Sequence, residues 1–317
     1  MSAPGMSAAS ASRQQTAGLL ATLFSVVLWG IQLPIGKDVF AVIDAVHVTL
    51  LRYALGTLLL LIMLLILEGP VALRYNGRAM PAAVIGTIGM CASPLLVFFG
   101  MALSRAEHTV VIVTLQPLIT VVAQWLLQGR RPARFTLLCI GVAFAGVVLV
   151  VTRGHLDMAE SARALAGDLL SLAGAGCWVA YTMNIHRLAG WSALRVTTLT
   201  LIPGTIATGI ASIFLVKLGL SVVPDWHAME SVAWQLTYLV LGGVYFSMLA
   251  WIYGAQRIGP LNAALLINVM PVTTFAVRAL QGQAVLVIEL AGATLVVLSL
   301  AANNIYLRRQ SQRLGRA

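Results

Sequence analysis

Residues 56–67 read GTLLLLIMLLIL, and this continuously apolar run decides the fold class of the chain. A strand that faces lipid alternates apolar and polar side chains, because only every second side chain touches the lipid. A run without alternation is typical of a membrane-spanning helix, which pairs all its backbone N–H and C=O groups within the segment. The stretch therefore predicts a helical membrane protein.

The composition of the whole chain extends this prediction. Of the 317 residues, 60% are hydrophobic and only 9% are charged, which is typical of membrane proteins. A bilayer core of roughly 30 Å requires about 20 apolar residues per helix. The predicted fold class is an all-α integral membrane protein with ten transmembrane helices. These helices are predicted at residues 17–36, 46–67, 80–103, 107–128, 134–152, 166–187, 196–218, 231–256, 260–281 and 285–306.

The polar joints between the predicted spans give the orientation of the chain. The joints on one side of the membrane carry thirteen Lys and Arg residues, and those on the other side carry five. Because positively charged joints stay in the cytoplasm, both termini are predicted to be cytoplasmic and the membrane to be a bacterial inner membrane. Residues 1–16 are then predicted as a disordered tail and residues 307–317 as a basic tail. The net charge of +10 follows from this excess and requires no nucleic-acid partner.

An internal repeat predicts two halves, residues 17–152 and 166–306. A shift of 149 residues superposes Trp29 on Trp178. Each half holds five spans, and this odd number inverts the second half in the membrane relative to the first. Inverted repeats of this kind form alternating-access transporters, with the substrate site between the repeats. A shift of 154 residues superposes Gly89 on Gly243, Ser93 on Ser247, Gly100 on Gly254, Pro117 on Pro271 and Thr120 on Thr274.

Several motifs resemble those of EamA-type transporters of the drug/metabolite transporter superfamily. They are WGIQLPIGK in the first span, LRYALGTLLLL in the second, and the proline-centred fourth and ninth spans that end in LLQG and ALQG. The resemblance covers residues 17–306 as two copies of one domain. It implies a ten-helix bundle around a central cavity lined mainly by spans 1, 3, 4, 6, 8 and 9, and the export of metabolites, often amino acids.

The chain departs from this family at the ends of spans 4 and 9. Family members often carry a glutamate directly after the glycine that closes each of these spans. Arg130 and Gln283 occupy those positions here. A role of that acidic residue is therefore not transferred to this chain.

Pro117 and Pro271 lie near the middle of spans 4 and 9. Proline lacks an N–H group, so the carbonyl four residues earlier, at Val113 or Ile267, loses its helical partner. Such a carbonyl must be satisfied by protein, water or substrate, because hydrocarbon offers no partner. Two interpretations remain open at this point, a break that lines a cavity and a packed kink. The matching positions of the two prolines favour the first.

Polar and aromatic side chains near these breaks are candidate substrate contacts. The amides of Gln116 and Asn268 suit a neutral or zwitterionic solute, although each could equally form an interhelical hydrogen bond. Trp29 and Gln32 share one helix face, and Trp178 and Tyr181 share the matching face of span 6. Their aromatic rings could attract an ammonium group or stack on an aromatic solute, or they could simply pack. Lesser candidates on spans 3 and 8 are Phe98, Tyr238 and Tyr245.

Four ionisable residues fall within or beside the spans. Arg52 matches an arginine of the family's second-span motif, and both a gating and a structural role are open for it. Arg278 and Glu289 have similar depths near the outer surface and predict a structural ion pair. His108 begins span 4 at the outer surface, where a hydrated histidine is expected, and a gate or proton-linked role is the alternative.

The leading prediction is a secondary transporter that exports small neutral or zwitterionic metabolites, above all amino acids. The chain has no GxxxxGK[ST] loop for ATP and no HExxH or GxSxG motif for catalysis, so neither an enzyme nor a cofactor is predicted. A passive metabolite channel and a membrane scaffold remain as alternatives. The three cysteines have no metal-ligand spacing, and no metal site is predicted. They are Cys91, Cys139 and Cys177.

Overall fold

A computed structural model of the chain describes residues 8–129, 131–152, 158–258, 263 and 266–314. Helices make up nearly all of this described part, and no strand occurs in it. The first helices in chain order are α1 Ala8–Val39, α2 Ala45–Glu68, α3 Ala79–Gly86, α4 Ser93–Leu103, α5 Ala106–Val113, α6 Gln116–Gln128 and α7 Arg134–Thr152. The second group is α8 Met158–Asn184, α9 Ala193–Lys217, α10 Trp226–Ser231, α11 Ala233–Val240, α12 Ser247–Ile258, α13 Met270–Leu280 and α14 Val287–Leu314.

Several helical segments are long and apolar enough to cross a bilayer. Within the described residues six segments qualify, two of which join α3 with α4 and α11 with α12 through the turns between them. Helices α5 and α6 qualify together as a pair that is bent by 45°. Three shorter apolar helical segments lie at Arg134–Val150, Ile267–Leu280 and Val287–Asn303. Each of the predicted stretches overlaps one of these segments, and residues 260–262, 264 and 265 of the predicted ninth span lie outside the described residues. The structure confirms an all-helical, multi-pass membrane protein, and the crossing of the three shorter segments stays a prediction.

The first and last helices extend beyond the spans predicted for them. Helix α1 begins at Ala8 and α14 ends at Leu314, so that residues 8–16 of the predicted disordered tail and residues 307–314 of the predicted basic tail are helical. Residues 8–16 read AASASRQQT and contain neither glycine nor proline. Alanine, arginine and glutamine favour the helix, so it continues past the apolar segment. Residues 1–7 of the predicted disordered tail and Arg130 lie outside the described residues.

Two π-helical turns occupy matching positions in the two halves of the chain. One turn is Thr87–Ala92, between α3 and α4, and the other is Leu241–Phe246, between α11 and α12. Both their first and their last residues differ by 154, the shift that the sequence repeat predicts. Such turns are rare and are often found at functional sites.

Close glycine contacts join each half to the other at matching places. Helix α4 packs on α8, and α12 packs on α1. A Cβ atom at Gly100 would lie 2.4 Å from the carbonyl oxygen of Gly167, and one at Gly254 would lie 2.6 Å from that of Gly18. Only a residue without a side chain allows backbones to approach so closely. The third span of each half therefore packs against the first span of the other half.

Candidate functional site

A cavity lies between the two halves of the chain. Its empty space is ≈ 690 Å³, including the part that is open to solvent. Residues of α1, α4, α5, α6, α8, the second π-helical turn, α12 and 267–270 line it, as the family resemblance implied for spans 1, 3, 4, 6, 8 and 9. Helix α2 also contributes, through Arg52 and Tyr53.

Trp29 and Trp178, which occupy matching positions in the two halves, meet in this cavity. Their ring centroids are 6.0 Å apart, and the rings are nearly perpendicular at 84°. Trp29 also packs on Trp251 at 5.1 Å and donates a hydrogen bond from Nε1 to the carbonyl oxygen of Gly243 at 3.3 Å. The structure thus brings the two tryptophans together, and both line the cavity.

Gln32 lines the cavity next to a buried arginine. The Oε1 atom of Gln32 accepts a hydrogen bond from Nη1 of Arg52 at 3.1 Å. The guanidinium carbon of Arg52 lies 4.1 Å from the ring centroid of Phe98. Gly243 leaves the space that Gln32 fills, since a Cβ atom at Gly243 would lie 2.4 Å from Oε1 of Gln32.

The matching place in the second half holds Tyr181 and Thr200. Tyr181 follows Gln32 by 149 residues and Thr200 follows Arg52 by 148. The Tyr181 hydroxyl and the Thr200 hydroxyl oxygens are 3.4 Å apart. Gly89 leaves space for the Tyr181 ring, as Gly243 does for Gln32. Tyr181 is buried behind Trp178, at a ring distance of 5.3 Å, and does not itself line the cavity.

Tyr245 faces away from the cavity. Its hydroxyl donates to the sulfur of Met63 on α2 at 3.1 Å, and its ring contacts Phe246. Gly243, two residues earlier, is the position on this helix that faces Gln32, and residues two apart do not share a helix face. Tyr245 was a predicted substrate contact, and the structure does not place it at the cavity.

The two prolines occupy matching positions in the first turn of a helix, one after a break and the other after a 3₁₀ turn. Helix α5 ends at Val113 and α6 begins at Gln116, so Pro117 is the second residue of α6. In the other half a 3₁₀ turn, Ile267–Val269, precedes α13, whose second residue is Pro271. Proline is well tolerated in the first turn of a helix, where its missing N–H group has no intrahelical partner. Neither proline lines the cavity.

Residues beside the prolines do reach the cavity. Gln116 and Val113 line it in the first half, and Ile267 and Met270 line it in the second. Asn268 is buried next to them, and its Oδ1 atom has no hydrogen-bond partner. These segments therefore bring residues of both halves to the cavity wall, among them one with an amide side chain, Gln116.

A cluster of charged side chains lies at the end of the bundle that was predicted to face outward. This ionic cluster consists of Asp38, Arg105, Glu107, Arg278 and Glu289. Arg278 contacts Glu107 at 3.1 Å and Asp38 at 3.2 Å, and Arg105 contacts Glu289 at 2.8 Å. The predicted pairing of Arg278 with Glu289 is wrong. Two residues at the start of α5 are their partners instead: Glu107 pairs with Arg278, and Arg105 pairs with Glu289.

Lys37 strengthens the same end of the bundle. Its ammonium group donates hydrogen bonds to the carbonyl oxygens of Met101 at 2.7 Å, Ala102 at 3.0 Å and Ser104 at 2.6 Å. The last carbonyls of a helix have no partners within it, and a cation there also interacts favourably with the helix dipole. Lys37 of α1 therefore caps the end of α4.

His108 is buried, which corrects the expectation of a hydrated histidine. It is 3% exposed and contacts Ser104 at 3.0 Å and Asp168 at 3.3 Å through Nδ1. The Ser104 hydroxyl also donates to Asp168 at 2.6 Å. Asp168 belongs to α8 and was not identified in the sequence, although a carboxylate at the start of a span is an unusual feature.

Outside the spans, Asp44 is held in a network of hydrogen bonds. Its carboxylate accepts from the Ser221 hydroxyl at 2.6 Å and from the His47 backbone N–H at 2.9 Å. Burial alone would raise the pKa of Asp44, but the hydrogen bonds of Ser221 and His47 outweigh it and hold that pKa below its ordinary value. Asp44 thereby joins the start of α2 to the segment after α9.

Known proteins resemble the chain over almost its whole length. The model of the EamA-like transporter family matches residues 16–152 and 165–305. The uncharacterized transporter YrdR of Bacillus subtilis strain 168 is 28% identical over 300 residues, which are 92% of each chain. YyaM of the same organism, also an uncharacterized transporter, is 28% identical over 251 residues, 78% of this chain and 80% of YyaM. A protein crystal structure with 21% sequence identity covers 93% of this chain and 99% of its own, with a TM-score of 0.68.

Proposed function

Because the chain belongs to the EamA-like transporter family, we propose that it is a secondary transporter that exports small neutral or zwitterionic metabolites, above all amino acids. The observation that supports this proposal is the meeting of Trp29 and Trp178 in one cavity. Equivalent residues of two repeats come together where a repeat interface forms the substrate site. The family and its transporter-named relatives also identify a transporter and not an enzyme.

The proposed architecture is a bundle of ten spans in two inverted repeats, residues 17–152 and 166–306. In this proposal both termini lie in the cytoplasm and the membrane is a bacterial inner membrane, and the excess of Lys and Arg on one side supports this orientation. Matching π-helical turns and matching glycine contacts support the repeat. Five spans per repeat would relate the two halves by a twofold axis in the membrane plane.

The lining of the cavity suits a small solute with an apolar part. Tryptophan faces, methionines and Phe98 offer apolar contacts, whereas Gln32 and Gln116 offer uncharged hydrogen-bonding groups. Sites for small ligands have this composition, mostly apolar with a few placed polar groups. We therefore retain Trp29, Gln32, Trp178 and Gln116 as proposed substrate contacts.

The ionic cluster supports an alternating-access mechanism. Asp38, Arg105 and Glu107 belong to the first half, and Arg278 and Glu289 belong to the second. Their ion pairs hold the halves together at one end of the cavity. Opening of that end to the outside would have to break these pairs, and the substrate would leave there.

Counterflow in liposomes tests the proposal. Purified protein is reconstituted with unlabelled amino acids inside, and the uptake of labelled amino acid from outside is followed over time. A transporter gives a transient accumulation that exceeds the equilibrium level. A passive channel gives equilibration without accumulation, a scaffold gives no flux, and either result rejects the proposal.

A further inference from the structure

Arg52 carries the one formal charge among the described residues that line the central cavity. Its side chain lies in the interior, with the whole residue 3% exposed. A guanidinium group keeps its positive charge in proteins and has five N–H donors. Burial of such a cation is costly unless an anion or sufficient hydrogen bonds compensate it.

The protein compensates this charge only in part. Nη1 donates to Gln32 at 3.1 Å, and the guanidinium carbon lies 4.1 Å from the Phe98 ring centroid and 4.7 Å from that of Tyr53. Aromatic faces attract a cation, but more weakly than a carboxylate does. The Nε atom is buried and has no hydrogen-bond partner.

No acidic residue in the described part of the chain pairs with Arg52. The ion pairs found there involve Arg105, Arg278, His47 and His108. The ionic cluster, by contrast, matches its arginines with three carboxylates. The cavity therefore contains a cation for which the described residues supply no anionic partner.

The second half shows that packing alone does not require an arginine at this position. Thr200 occupies the position that matches Arg52, and there an uncharged hydroxyl beside the Tyr181 hydroxyl takes the place of the guanidinium. The two halves otherwise share the same arrangement, in which a glycine of a π-helical turn makes room for Gln32 or Tyr181. The charge is thus a feature of one half alone.

We propose that Arg52 binds a carboxylate group of the transported solute, so that the substrates are small carboxylic acids with an apolar body. This inference rests on the proposed transport function and redefines its substrate class by the carboxylate: amino acids stay in the class, acids without an ammonium group join it, and solutes without a carboxylate leave it. The single charge of a carboxylate matches one guanidinium, whereas a phosphate monoester carries about −1.5 to −2 charges at pH 7 and would remain undercompensated. The free N–H groups of Arg52 would donate to the carboxylate, and Gln32 orients the guanidinium.

The residues that line the cavity also indicate which other groups of the solute contribute to binding. Trp29 and Trp178 contact each other on the wall of this cavity and offer aromatic surface to an apolar body. The described lining contains no carboxylate that would pair with a substrate ammonium group. The carboxylate is therefore required for binding, and the ammonium group is dispensable.

Three related probes test this requirement. L-phenylalanine has both groups, 3-phenylpropionate lacks the ammonium group, and phenylalaninamide lacks the carboxylate. Binding to purified protein in detergent is measured by tryptophan fluorescence, since Trp29 and Trp178 line the same cavity as Arg52. We expect the first two probes to bind and phenylalaninamide to bind at least 10-fold more weakly. Equal binding of the amide and the acids, or no binding of either acid, overturns the inference.

Variants assign the effect to Arg52. Arg52→Gln should weaken binding of both acids about 10- to 100-fold, the effect of losing a hydrogen bond to a charged group, without weakening that of the amide. Arg52→Lys retains the charge and should recover part of this loss. Arg74→Gln, on an exposed arginine, is the control. If Arg52→Gln does not fold, Arg52→Lys and the comparison of probes on the wild type still decide the question.

Counterflow of the same probes separates this inference from the proposed function. Acid binding that depends on Arg52 but produces no counterflow would support the carboxylate site and reject transport. Counterflow of phenylalaninamide that equals that of phenylalanine, and that persists in Arg52→Gln, would support transport and reject the carboxylate site.

Discussion

At the scale of single residues, the cavity depends on a few side chains that neighbouring glycines position. Trp29 contacts Trp178 and Trp251 and donates to the carbonyl oxygen of Gly243. One indole thus touches two helices of the second half and a π-helical turn. Its removal would change the shape of the cavity as well as one of its walls.

Replacement of Trp29 tests its contact with substrate. We expect Trp29→Ala to raise the KM of counterflow about tenfold or more, because a large aromatic wall is lost. Trp29→Phe keeps a ring but loses the hydrogen bond to Gly243, so its effect should be smaller. Trp234→Ala, which removes an indole that is 64% exposed, is the control. Saturation curves identical to those of the wild type would reject the assignment of Trp29 as a substrate contact.

At the scale of helices, the break before Pro117 and the 3₁₀ turn before Pro271 shape two cavity walls. The break between α5 and α6 bends the chain by 45° and leaves Val113 and Gln116 at the cavity. A continuous helix through α5 and α6 would shift α6 and rotate Val113 and Gln116 away from their present positions at the cavity. The prolines act on the site through helix geometry, since neither lines the cavity.

Alanine at either proline should lower transport without preventing insertion. The new N–H group at residue 117 or 271 would pair with the carbonyl of Val113 or Ile267 and straighten the helix. We expect a loss of counterflow of about tenfold or more, measured at equal amounts of reconstituted protein. Pro81→Ala is the control, since Pro81 lies in the first turn of α3 and causes no break. Unchanged kinetics in both variants would contradict a role of the breaks in transport.

The glycine contacts between helices predict a difference in stability between two substitutions. A Cβ atom at Gly254 would lie 2.0 Å from the hydroxyl of Thr22, whereas one at Gly176 would meet no atom within 4 Å. We expect Gly254→Ala to lower the free energy of unfolding by about 1–3 kcal/mol through overpacking of α12 against α1. Gly176→Ala should be neutral or slightly stabilising, because alanine favours the helix. Thermal melting in detergent measures both, and equal melting temperatures would contradict the close contact.

The hydrogen bonds of Asp44 predict a dependence of stability on pH. Because the pKa of Asp44 in the folded protein lies below its ordinary value of 3.8, the carboxylate stabilises the fold at neutral pH. This contribution is present above the unfolded pKa and is lost as the pH falls through the folded pKa. We therefore expect the wild type to melt above Asp44→Asn at pH 7, and the difference to shrink toward pH 3. A difference that is constant with pH would contradict this assignment.

At the scale of the whole molecule, the ionic cluster and the cavity form one system. The cluster joins the two halves at one end, and the paired tryptophans join them in the middle. Glu107 and Glu289 are almost completely buried, at 1% and 0% exposed, so these charges depend strongly on their partners. Removal of one partner from a buried pair destabilises a protein by about 3–5 kcal/mol.

The cluster therefore predicts coupling between Glu107 and Arg278. Each single change, Glu107→Gln or Arg278→Gln, should lower the melting temperature and the counterflow rate. The double variant should lose less stability and less counterflow than the sum of the two single variants. Each single variant leaves the charge of the other residue unpaired, whereas the double variant removes both charges of the pair. Arg257→Gln, on an exposed arginine, is the control. Additive losses would show that the pair does not act as a unit.

The sequence predicted those features that depend on spacing along the chain. The shift of 154 residues places the two π-helical turns, and the shift of 149 relates the tryptophans that meet in the cavity. The direction of single side chains was harder to predict. Tyr181 and Tyr245 lie on spans whose apolar residues can face either lipid or the protein interior. Both surroundings accept apolar groups, so the apolar pattern does not identify the inner face. The burial of His108 and the partners of Arg278 depend on contacts between distant helices.

The two π-helical turns also bear on the origin of the chain. A wide helical turn is a rare local feature, and two independent insertions at equal places in both halves would be a coincidence. A single ancestral half that already contained the turn, and was then duplicated and fused, accounts for both. Arginine at residue 52 and threonine at residue 200 then differ because the halves diverged after the duplication. On this account the ancestral protein assembled from two identical copies, and fusion allowed one side of the cavity to become charged while the other stayed neutral.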